Sequence, residues 1–353
     1  MRIAVGLGLV LAGALLPPQQ PAPLPRVVLG YYPSWVAHPN PKELLYERFT
    51  HLAHAFLRAD ADGHLQEDKA IPNPDLVRRA HEKQVRVLLS LGGAGSGKTF
   101  RAIARSEDVR RRYVSAVAKA VVDAAYDGID VDWEPTEGDE DRRGMVALLT
   151  SLRDALPSAT ISMAAPASDW YGRWWDVAAL QPRVDLLNVM SYDFHGPWSG
   201  HAGHNAPLHA APDDEDGAAL NAAAALTYWA QTRQWPKERL NLGIPCYGRG
   251  FAVKAWHQKP AGKAAHESID AHDVPALLND GWRRAWDPKV GVPTLLKEGS
   301  TELISYEDAE SAALKGAWAR EHGLRGIFFW TIAQDWADGE HEIVRSAAAA
   351  FLK

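Results

Sequence analysis

The sequence predicts an α/β fold in which eight parallel strands close into a (β/α)8 TIM barrel. Short apolar runs rich in β-branched and aromatic residues recur eight times, and segments with helical spacing separate them. One of these runs, at 127–134, carries three acidic residues at its C-terminal end. In a barrel of this kind, the C-terminal ends of the strands hold the functional groups.

The eight candidate strands follow one another along the whole chain. They are 26–31, 51–56, 85–91, 128–133, 160–165, 186–191, 240–247 and 325–331. Helical segments are predicted between them at 74–83, 106–125, 139–156, 218–233 and 307–322, and Pro157 stops the third of these helices. Strands that alternate with helices form parallel βαβ units, and eight such units are enough to close a barrel.

The spacing between consecutive predicted strands is uneven at one place. Roughly 80 residues separate Tyr247 from Trp330, whereas one βα unit needs far fewer. The sequence therefore predicts a small inserted subdomain at 252–306, between strands 7 and 8 of a catalytic domain that covers 26–353.

The N-terminal segment predicts export. Arg2 is followed by an apolar run from 3 to 16 that is too short to cross a bilayer comfortably, and small residues at 12–14 fit a cleavage site. We expect a signal peptide and a proline-rich linker at 1–25 and a secreted or periplasmic protein. An uncleaved anchor is the alternative. No later run is apolar enough to span a membrane, so we expect no stable membrane association after the signal is removed, and a monomer.

Composition, charge and cysteine content exclude several other classes of protein. With 353 residues, 46% of them hydrophobic and 23% charged, the chain can bury a large core. Its formal net charge of −6 argues against nucleic acid as a partner, because phosphate-backbone binders carry basic patches. Cys246 is the only cysteine, so an internal disulfide is excluded.

The acidic row is the strongest functional signal. In a strand, successive side chains point to opposite faces, so Asp130, Asp132 and Glu134 project together and the apolar residues between them project the other way. Carboxylates held this close raise one another's pKa unless they share protons or bind cations. A solvated acidic face and a metal site are the simpler interpretations of the same pattern.

Several motifs together match one family. DGIDVDWE at 127–134 resembles the D-G-x-D-x-D-x-E signature of family 18 glycoside hydrolases, the chitinases and their relatives. Other similar stretches occur in family order: GYYPSW at 30–35, HLAHAF at 51–56, SLGG at 90–93, MSYDFHG at 190–196, GHNAPL at 203–208, PCYGRGF at 245–251 and GIFFWTIAQD at 326–335. The resemblance also implies that the insertion is an α+β subdomain that deepens a substrate groove.

The resemblance implies a chitinase that hydrolyses β-1,4-linked N-acetylglucosamine polymers with retention of configuration. In this family the substrate's own acetamido oxygen is the nucleophile. Glu134 would be the acid and then the base, its pKa raised by burial and by Asp132. Asp132 would hold the acetamido N–H, Asp130 would share a proton with Asp132, and Tyr192 would hydrogen-bond the acetamido oxygen.

Sugar rings pack on aromatic faces while polar groups bind their hydroxyls, so a carbohydrate site combines both kinds of residue. The candidate substrate-binding residues are Tyr31, Phe56, Trp133, Met190, Asp193, Tyr247, Arg249 and Trp330. Trp35 is a further candidate wall. Other tryptophans could form outer subsites, although core packing is the simpler interpretation for each. No cofactor is expected, and no metal, because HExxH and Cys/His clusters are absent from the sequence.

Four alternatives stay open. An endo-β-N-acetylglucosaminidase or a peptidoglycan-acting hydrolase would use the same chemistry. A carbohydrate-binding protein without catalysis would use the same groove. Residues 92–99, GGAGSGKT, satisfy the phosphate-loop pattern G-x-x-x-x-G-K-[ST], which favours nucleotide binding, although an exported protein meets little ATP.

Overall fold

The structure is a computed structural model that describes residues 25–353. The predicted signal peptide therefore lies outside the described residues. Among the residues described, no helix combines the length and the apolar character needed to cross a bilayer.

Seven parallel strands form most of the barrel before the chain leaves it. They are β1 (Val27–Pro33), β2 (His51–Leu57), β3 (Arg86–Gly93), β4 (Gly128–Trp133), β5 (Thr160–Ala165), β6 (Leu186–Val189) and β7 (Leu240–Pro245). Their residues are almost all buried, as expected for strands covered on both faces.

The insertion begins earlier than predicted. The predicted seventh strand, 240–247, ends at Pro245, and Tyr247 belongs instead to a separate strand, β8 (Tyr247–Phe251). This strand joins β9 (Ile269–Asp270), β10 (Arg283–Asp287), β11 (Val292–Leu296) and β12 (Leu303–Ser305) in a five-stranded antiparallel sheet. The same region contains the short helix at Val274–Asn279.

The barrel closes through β13 (Gly326–Trp330), which pairs in parallel with both β1 and β7. The closed strand order confirms the predicted eight-stranded barrel. A short hairpin of β14 (Trp336–Ala337) and β15 (Glu340–His341) follows.

Ten α-helices lie in the described part of the chain. The helices are α1 (Pro74–Glu82), α2 (Gly97–Arg105), α3 (Glu107–Asp123), α4 (Gly138–Ala155), α5 (Asp169–Gly172), α6 (Val177–Leu180), α7 (Ala222–Thr227), α8 (Val274–Asn279), α9 (Ala309–Glu321) and α10 (Glu342–Leu352). Four predicted helices match α1, α3, α4 and α9 within about two residues at each end, the usual scatter of helix boundaries.

Helix α7 is shorter than predicted because its last turn widens into a π-helical turn at Tyr228–Thr232. Helices α2 and α10 were not predicted. The main core lies between the outward faces of the strands and these helices, and it contains Ile129, Val131 and Trp133 of β4. The opposite, inward face of β4 is therefore free to carry the acids into the barrel.

Candidate active site

Strand β4 places the acidic row at the mouth of the barrel. Asp130 and Asp132 lie on the strand, and Glu134 follows its last residue, Trp133. The register sets Ser90 of β3 and Ser162 of β5 level with Asp130 on either side. The row therefore runs from the barrel interior towards its C-terminal end, as predicted.

Asp130 is completely buried and fully hydrogen-bonded. Its Oδ2 accepts hydrogen bonds from the Tyr31 hydroxyl (3.0 Å) and the Ser90 hydroxyl (2.7 Å). Its Oδ1 accepts from the Ser162 hydroxyl (2.5 Å) and from Nδ2 of Asn188 (3.3 Å). Burial raises the pKa of Asp130, while these four donors oppose that rise. Because each oxygen already accepts two hydrogen bonds, Asp130 is poorly suited to bind a metal.

Asp132 and Glu134 form a coupled pair of carboxyl groups. Burial raises the pKa of Asp132 well above its ordinary value, and the neighbouring Glu134 raises it further. Burial also raises the pKa of Glu134, while hydrogen bonding from Asp132 opposes this rise and the negative charge of Asp193 adds to it. The pair therefore keeps a proton at a pH where a solvated carboxyl group has lost it. The like charge that raises the pKa of Glu134 comes from Asp193, whereas we expected it from Asp132.

The loop between β3 and α2 fixes the backbone of Glu134. The Ser96 hydroxyl donates to the carbonyl oxygen of Asp132 (2.9 Å) and accepts from the amide of Glu134 (3.1 Å). The Gly97 amide donates to the carbonyl oxygen of Glu134 (2.7 Å). Gly92 permits this close approach, because it has φ of +103° and a Cβ there would lie 2.3 Å from the Asp132 carbonyl oxygen.

These hydrogen bonds give the segment 92–99, which matches the phosphate-loop pattern, a structural role beside the acids. The segment does join a strand to a helix, but its Ser96 hydroxyl and Gly97 amide are already bonded to the end of β4. The cavity beside the loop has a volume of about 190 Å³, smaller than the roughly 300 Å³ at the low end of small-molecule sites. The geometry thus assigns the loop to the acidic site and gives nucleotide binding no support.

Strand β6 and the loop that follows it supply the opposite side of the site. Tyr192 lies among Tyr247 and Phe328, and burial raises the pKa of its hydroxyl well above the ordinary value, so this group stays a hydrogen-bond donor. Oδ1 of Asp193 accepts a hydrogen bond from Nε of Arg249 (2.9 Å) and lies at the same distance from Nη2 in an ion pair. The guanidinium group lies over the Tyr247 ring, 4.9 Å from its centre.

An open cleft of about 650 Å³ lies over the acidic pair. Five of the predicted substrate-binding residues line it, four of them aromatic or apolar and the fifth Asp193. The predicted residues that line the cleft are Trp35, Phe56, Asp132, Trp133, Glu134, Met190, Tyr192, Asp193 and Trp330. Phe56 stacks on Trp330, with ring centres 5.5 Å apart, and on Trp35 at 6.0 Å.

Two predicted walls have other positions. The Tyr31 ring is buried below the cleft, where its hydroxyl bonds Asp130 and its ring contacts Trp330. Trp133 borders the cleft, but its ring stacks on Phe100 of α2, with centres 5.2 Å apart, and is 2% exposed. Because odd-numbered residues of β4 point outwards, this ring cannot support a sugar from inside the barrel. Arg249 reaches the site through Asp193, and Tyr247 reaches it through the contact of its ring with Tyr192; neither residue lines the cleft.

The candidate outer tryptophans divide by exposure. Trp170 and Trp198 are largely exposed, and Trp175 is buried, with its indole N–H donating to the Thr136 hydroxyl. The simpler packing interpretation is therefore right for Trp175.

A group of buried polar residues beneath the acids was not predicted from the sequence. Ser90, Ser162 and Asn188 are buried donors to Asp130, and Nδ2 of Asn241 donates to the side-chain oxygen of Asn188 (2.8 Å). The available signal was a small polar residue inside several of the apolar strand runs, such as the serine in LLSLGG. A polar residue at an inward barrel position needs a partner when it is buried.

Comparison with known proteins places this geometry in a family. The family model described as "Glycosyl hydrolases family 18" matches residues 27–335. The chain is 30% identical over 349 residues to a probable endochitinase of Caenorhabditis elegans, a match that covers 86% of this chain and 55% of the relative. It is 26% identical over 394 residues to chitinase A1 of Niallia circulans, covering 87% of this chain and 56% of the relative. The chain thus spans about half the length of these relatives.

The fold also resembles that of a solved chitinase structure. The crystal structure of a chitinase from Trichuris suis superposes with a TM-score of 0.85 and 24% identity, covering 93% of this chain and 100% of that one. The matched region contains the whole acidic row, the loop that fixes Glu134 and all eight barrel strands. The chain therefore belongs to family 18 of the glycosyl hydrolases.

Proposed function

We propose that this protein is a chitinase that hydrolyses β-1,4-linked N-acetylglucosamine polymers by the substrate-assisted, retaining route. Family membership and the names of the two relatives support the substrate class. One structural observation supports the route: within residues 25–353, the carboxyl groups that line the cleft are Asp132, Glu134 and Asp193. Asp132 lies on β4 and Glu134 directly after it, and Asp193 is paired with Arg249.

This arrangement is unlike that of glycosidases with two opposed carboxyl groups. In those enzymes one carboxyl group protonates the leaving oxygen and a second attacks the sugar or activates water from the other face. Here no unpaired carboxylate faces Glu134 across the cleft among the described residues. A substrate with a 2-acetamido group supplies the missing nucleophile itself, since its carbonyl oxygen can attack the anomeric carbon.

The residues have complementary roles in this route. Glu134 protonates the glycosidic oxygen and then accepts a proton from water, and its raised pKa keeps the proton available for the first step. Asp132 lies behind Glu134 and offsets the positive charge of the cyclised intermediate. The Tyr192 hydroxyl orients the acetamido oxygen, and Trp330 and Phe56 offer flat surfaces to the sugar rings.

The decisive variant is Glu134→Gln. Hydrolysis of chitotetraose by this variant should fall by about 10²–10⁴-fold, the usual contribution of a positioned acid and base. Binding of the tetrasaccharide, measured by calorimetry, should remain. Glu137→Gln is the matched control, because Glu137 is exposed three residues away and outside the cleft lining. Unchanged turnover in Glu134→Gln would overturn the role of this residue.

Substrate panels separate the proposed activity from its alternatives. Chitotetraose should be cleaved in preference to a high-mannose glycopeptide and to peptidoglycan, whose cleavage would favour the other hydrolases. Fully deacetylated chitosan lacks the internal nucleophile and should resist cleavage. Tetrasaccharide binding without hydrolysis by the unaltered chain would identify a carbohydrate-binding protein.

Export is proposed from the sequence alone. The basic Arg2 and the apolar run at 3–16 support secretion or periplasmic localisation, where a polymer substrate is accessible.

A further inference from the structure

A cluster of histidines surrounds a buried aspartate outside the cleft lining. His195 and His201 belong to the loop after β6, and Asp214 lies in the segment that leads to α7. The His195 and His201 Nε2 atoms are 3.2 Å apart. Asp214 Oδ1 is 2.9 Å from His201 Nε2, and Asp214 Oδ2 is 3.4 Å from His195 Nε2. Three potential metal ligands thus face one point.

These distances match the edges of a tetrahedral metal site. Zinc binds imidazole nitrogen and carboxylate oxygen at about 2.0–2.2 Å, which places neighbouring ligand atoms about 3.3 Å from each other in a tetrahedron. The distance of 3.2 Å between the two histidine nitrogens is close to this value, and Asp214 presents one oxygen to each histidine, at 2.9 and 3.4 Å. Imidazole and carboxylate form a ligand set that suits zinc and other divalent transition metals.

The hydrogen bonds of the cluster leave Nε2 of His195 without a hydrogen of its own. His195 Nδ1 lies 3.3 Å from the backbone oxygen of His204, which can only accept, so Nδ1 carries the hydrogen and the Nε2 lone pair points into the cluster. Metal-bound histidines are oriented in this way by their second nitrogen. The single hydrogen that a neutral His201 can place on Nε2 is shared between Asp214 and His195. A cation satisfies both nitrogens and the carboxylate together.

A fourth residue, His257, adjoins the cluster from the insertion. Its Nδ1 is buried without a hydrogen bond, 3.5 Å from Asp214 Oδ2. Its φ of +66° lies in the left-handed region, which non-glycine residues adopt at an energetic cost. Backbone hydrogen bonds hold it there, from the His257 amide to the Ala202 oxygen and from the Ala202 amide to the Gln258 oxygen, both 2.8 Å. A strained backbone that presents an unpaired nitrogen to a carboxylate indicates a further ligand.

We propose that His195, His201 and Asp214 bind a divalent transition-metal ion such as Zn²⁺, with His257 as a further donor. The expectation of a protein without metal rested on short sequence motifs, whereas Asp214 is 13 positions from His201 and His257 lies in another subdomain. The inference does not depend on the proposed activity.

The site would connect two parts of the molecule. His195 lies two residues after Asp193, whose amide donates to the Asn205 side-chain oxygen (3.1 Å). The Phe194 amide donates to the Asn205 backbone oxygen (3.0 Å). A bound ion would therefore tie the insertion to the loop that carries Asp193, and its role would be structural.

The test is zinc binding by the full chain after treatment with a chelator. Titration calorimetry should show one Zn²⁺ per chain, and the melting temperature should rise on addition of Zn²⁺. His201→Ala and Asp214→Asn should each weaken binding by at least about tenfold. His209→Ala is the control, since His209 is an exposed histidine on the same segment, and this variant should bind as the unaltered chain does. Melting without metal shows whether each variant is folded.

Two results would overturn the proposal: no saturable zinc binding by the unaltered chain, or equal affinity in His201→Ala and His209→Ala. Should the ligand variants fail to fold, Co²⁺ substitution of the unaltered chain decides. A tetrahedral site gives an intense visible absorption with Co²⁺, which Zn²⁺ should displace. A chain that takes up no Co²⁺, or shows only the weak spectrum of the hydrated ion, contradicts the proposal.

Discussion

At the residue scale, Asp132 illustrates the conflict between stability and activity. Its side chain is 4% exposed, and its Oδ1 has no hydrogen-bond partner. An ionised carboxylate in such a place costs free energy, because water no longer solvates it and Glu134 adds a second negative charge. Asp132 therefore does not favour folding at neutral pH, and its charge has a role only in the proposed reaction.

Asp132→Asn should therefore stabilise the protein at neutral pH while it impairs turnover. Because folding raises the pKa of Asp132, the protonated form favours the folded state, and this contribution is complete below the unfolded pKa of about 3.9. It is lost as the pH rises through the raised pKa of the folded state. Because the asparagine side chain carries no charge at any of these pH values, the variant should be more stable than the unaltered chain at pH 7.

Urea unfolding between pH 4 and pH 8 measures this effect. The difference between Asp132→Asn and the unaltered chain should shrink as the pH falls towards 4. The exposed Asp154 provides the control substitution Asp154→Asn, which should leave stability unchanged. A variant less stable than the unaltered chain at pH 7 would mean that the buried carboxylate is better solvated than its surroundings indicate.

The acids could be predicted from the sequence because their period-two spacing is local. Their partners could not, because Ser90, Ser162 and Asn188 come from three other strands and become neighbours only through barrel register. The outward orientation of the Trp133 ring did follow from strand alternation. Assigning it to the sugar site ignored that alternation in favour of its aromatic character.

At the element scale, strand positions could be predicted better than the segments between barrel and insertion. All eight predicted strands overlap barrel strands, since each is a buried apolar run bounded by polar turns. The boundary at Pro245 was missed because only Cys246 separates β7 from β8, and the residues of β8 are also largely buried. Helix α2 was missed because its glycine-rich start at 92–97 is typical of a loop.

A buried ion pair links α9 to the loop after β6. Lys315 and Glu307 are both buried and hydrogen-bond each other, and Nζ of Lys315 also donates to the backbone oxygen of Ala206 (2.6 Å). Glu307 accepts a further hydrogen bond from the Ser311 hydroxyl (2.8 Å). Burial raises the pKa of Glu307 and lowers that of Lys315, and each partner opposes the shift of the other.

Lys315→Met should destabilise the protein by about 3–5 kcal/mol, because it leaves Glu307 buried without its cation. Adding Glu307→Gln should restore a large part of this loss, since the second change removes the uncompensated charge. Chemical unfolding of the two single variants and the double variant gives the coupling energy. Additive losses would show that the two side chains act independently of each other.

At the scale of the whole molecule, the last helix of the chain, α10, packs against the barrel and completes the main core. The family match ends at residue 335, yet α10 contributes Ile343, Val344 and Phe351 to the main core. Asp335 accepts hydrogen bonds from the amides of Ile343 and Val344, both at 3.0 Å, at the start of this helix. This helix was not predicted from the sequence.

Phe351 joins this helix to the first barrel strand. Its ring is completely buried, and the guanidinium group of Arg26 lies 5.2 Å from its centre, just before β1. The Arg26 side chain also donates to the Phe351 backbone oxygen. The residue therefore packs where the beginning and the end of the described chain meet.

Phe351→Ala should cost about 3–5 kcal/mol of unfolding free energy, because it removes a fully buried ring and leaves a cavity. Leu352→Ala is the matched control, since the neighbouring Leu352 is 51% exposed and should contribute little. Because the ring is remote from the cleft lining, turnover at temperatures well below the melting transition should remain close to that of the unaltered chain. Equal melting temperatures for the two variants would contradict the packing argument. A loss of turnover in a folded Phe351→Ala would instead show that the packing of α10 against the barrel governs the geometry at its mouth.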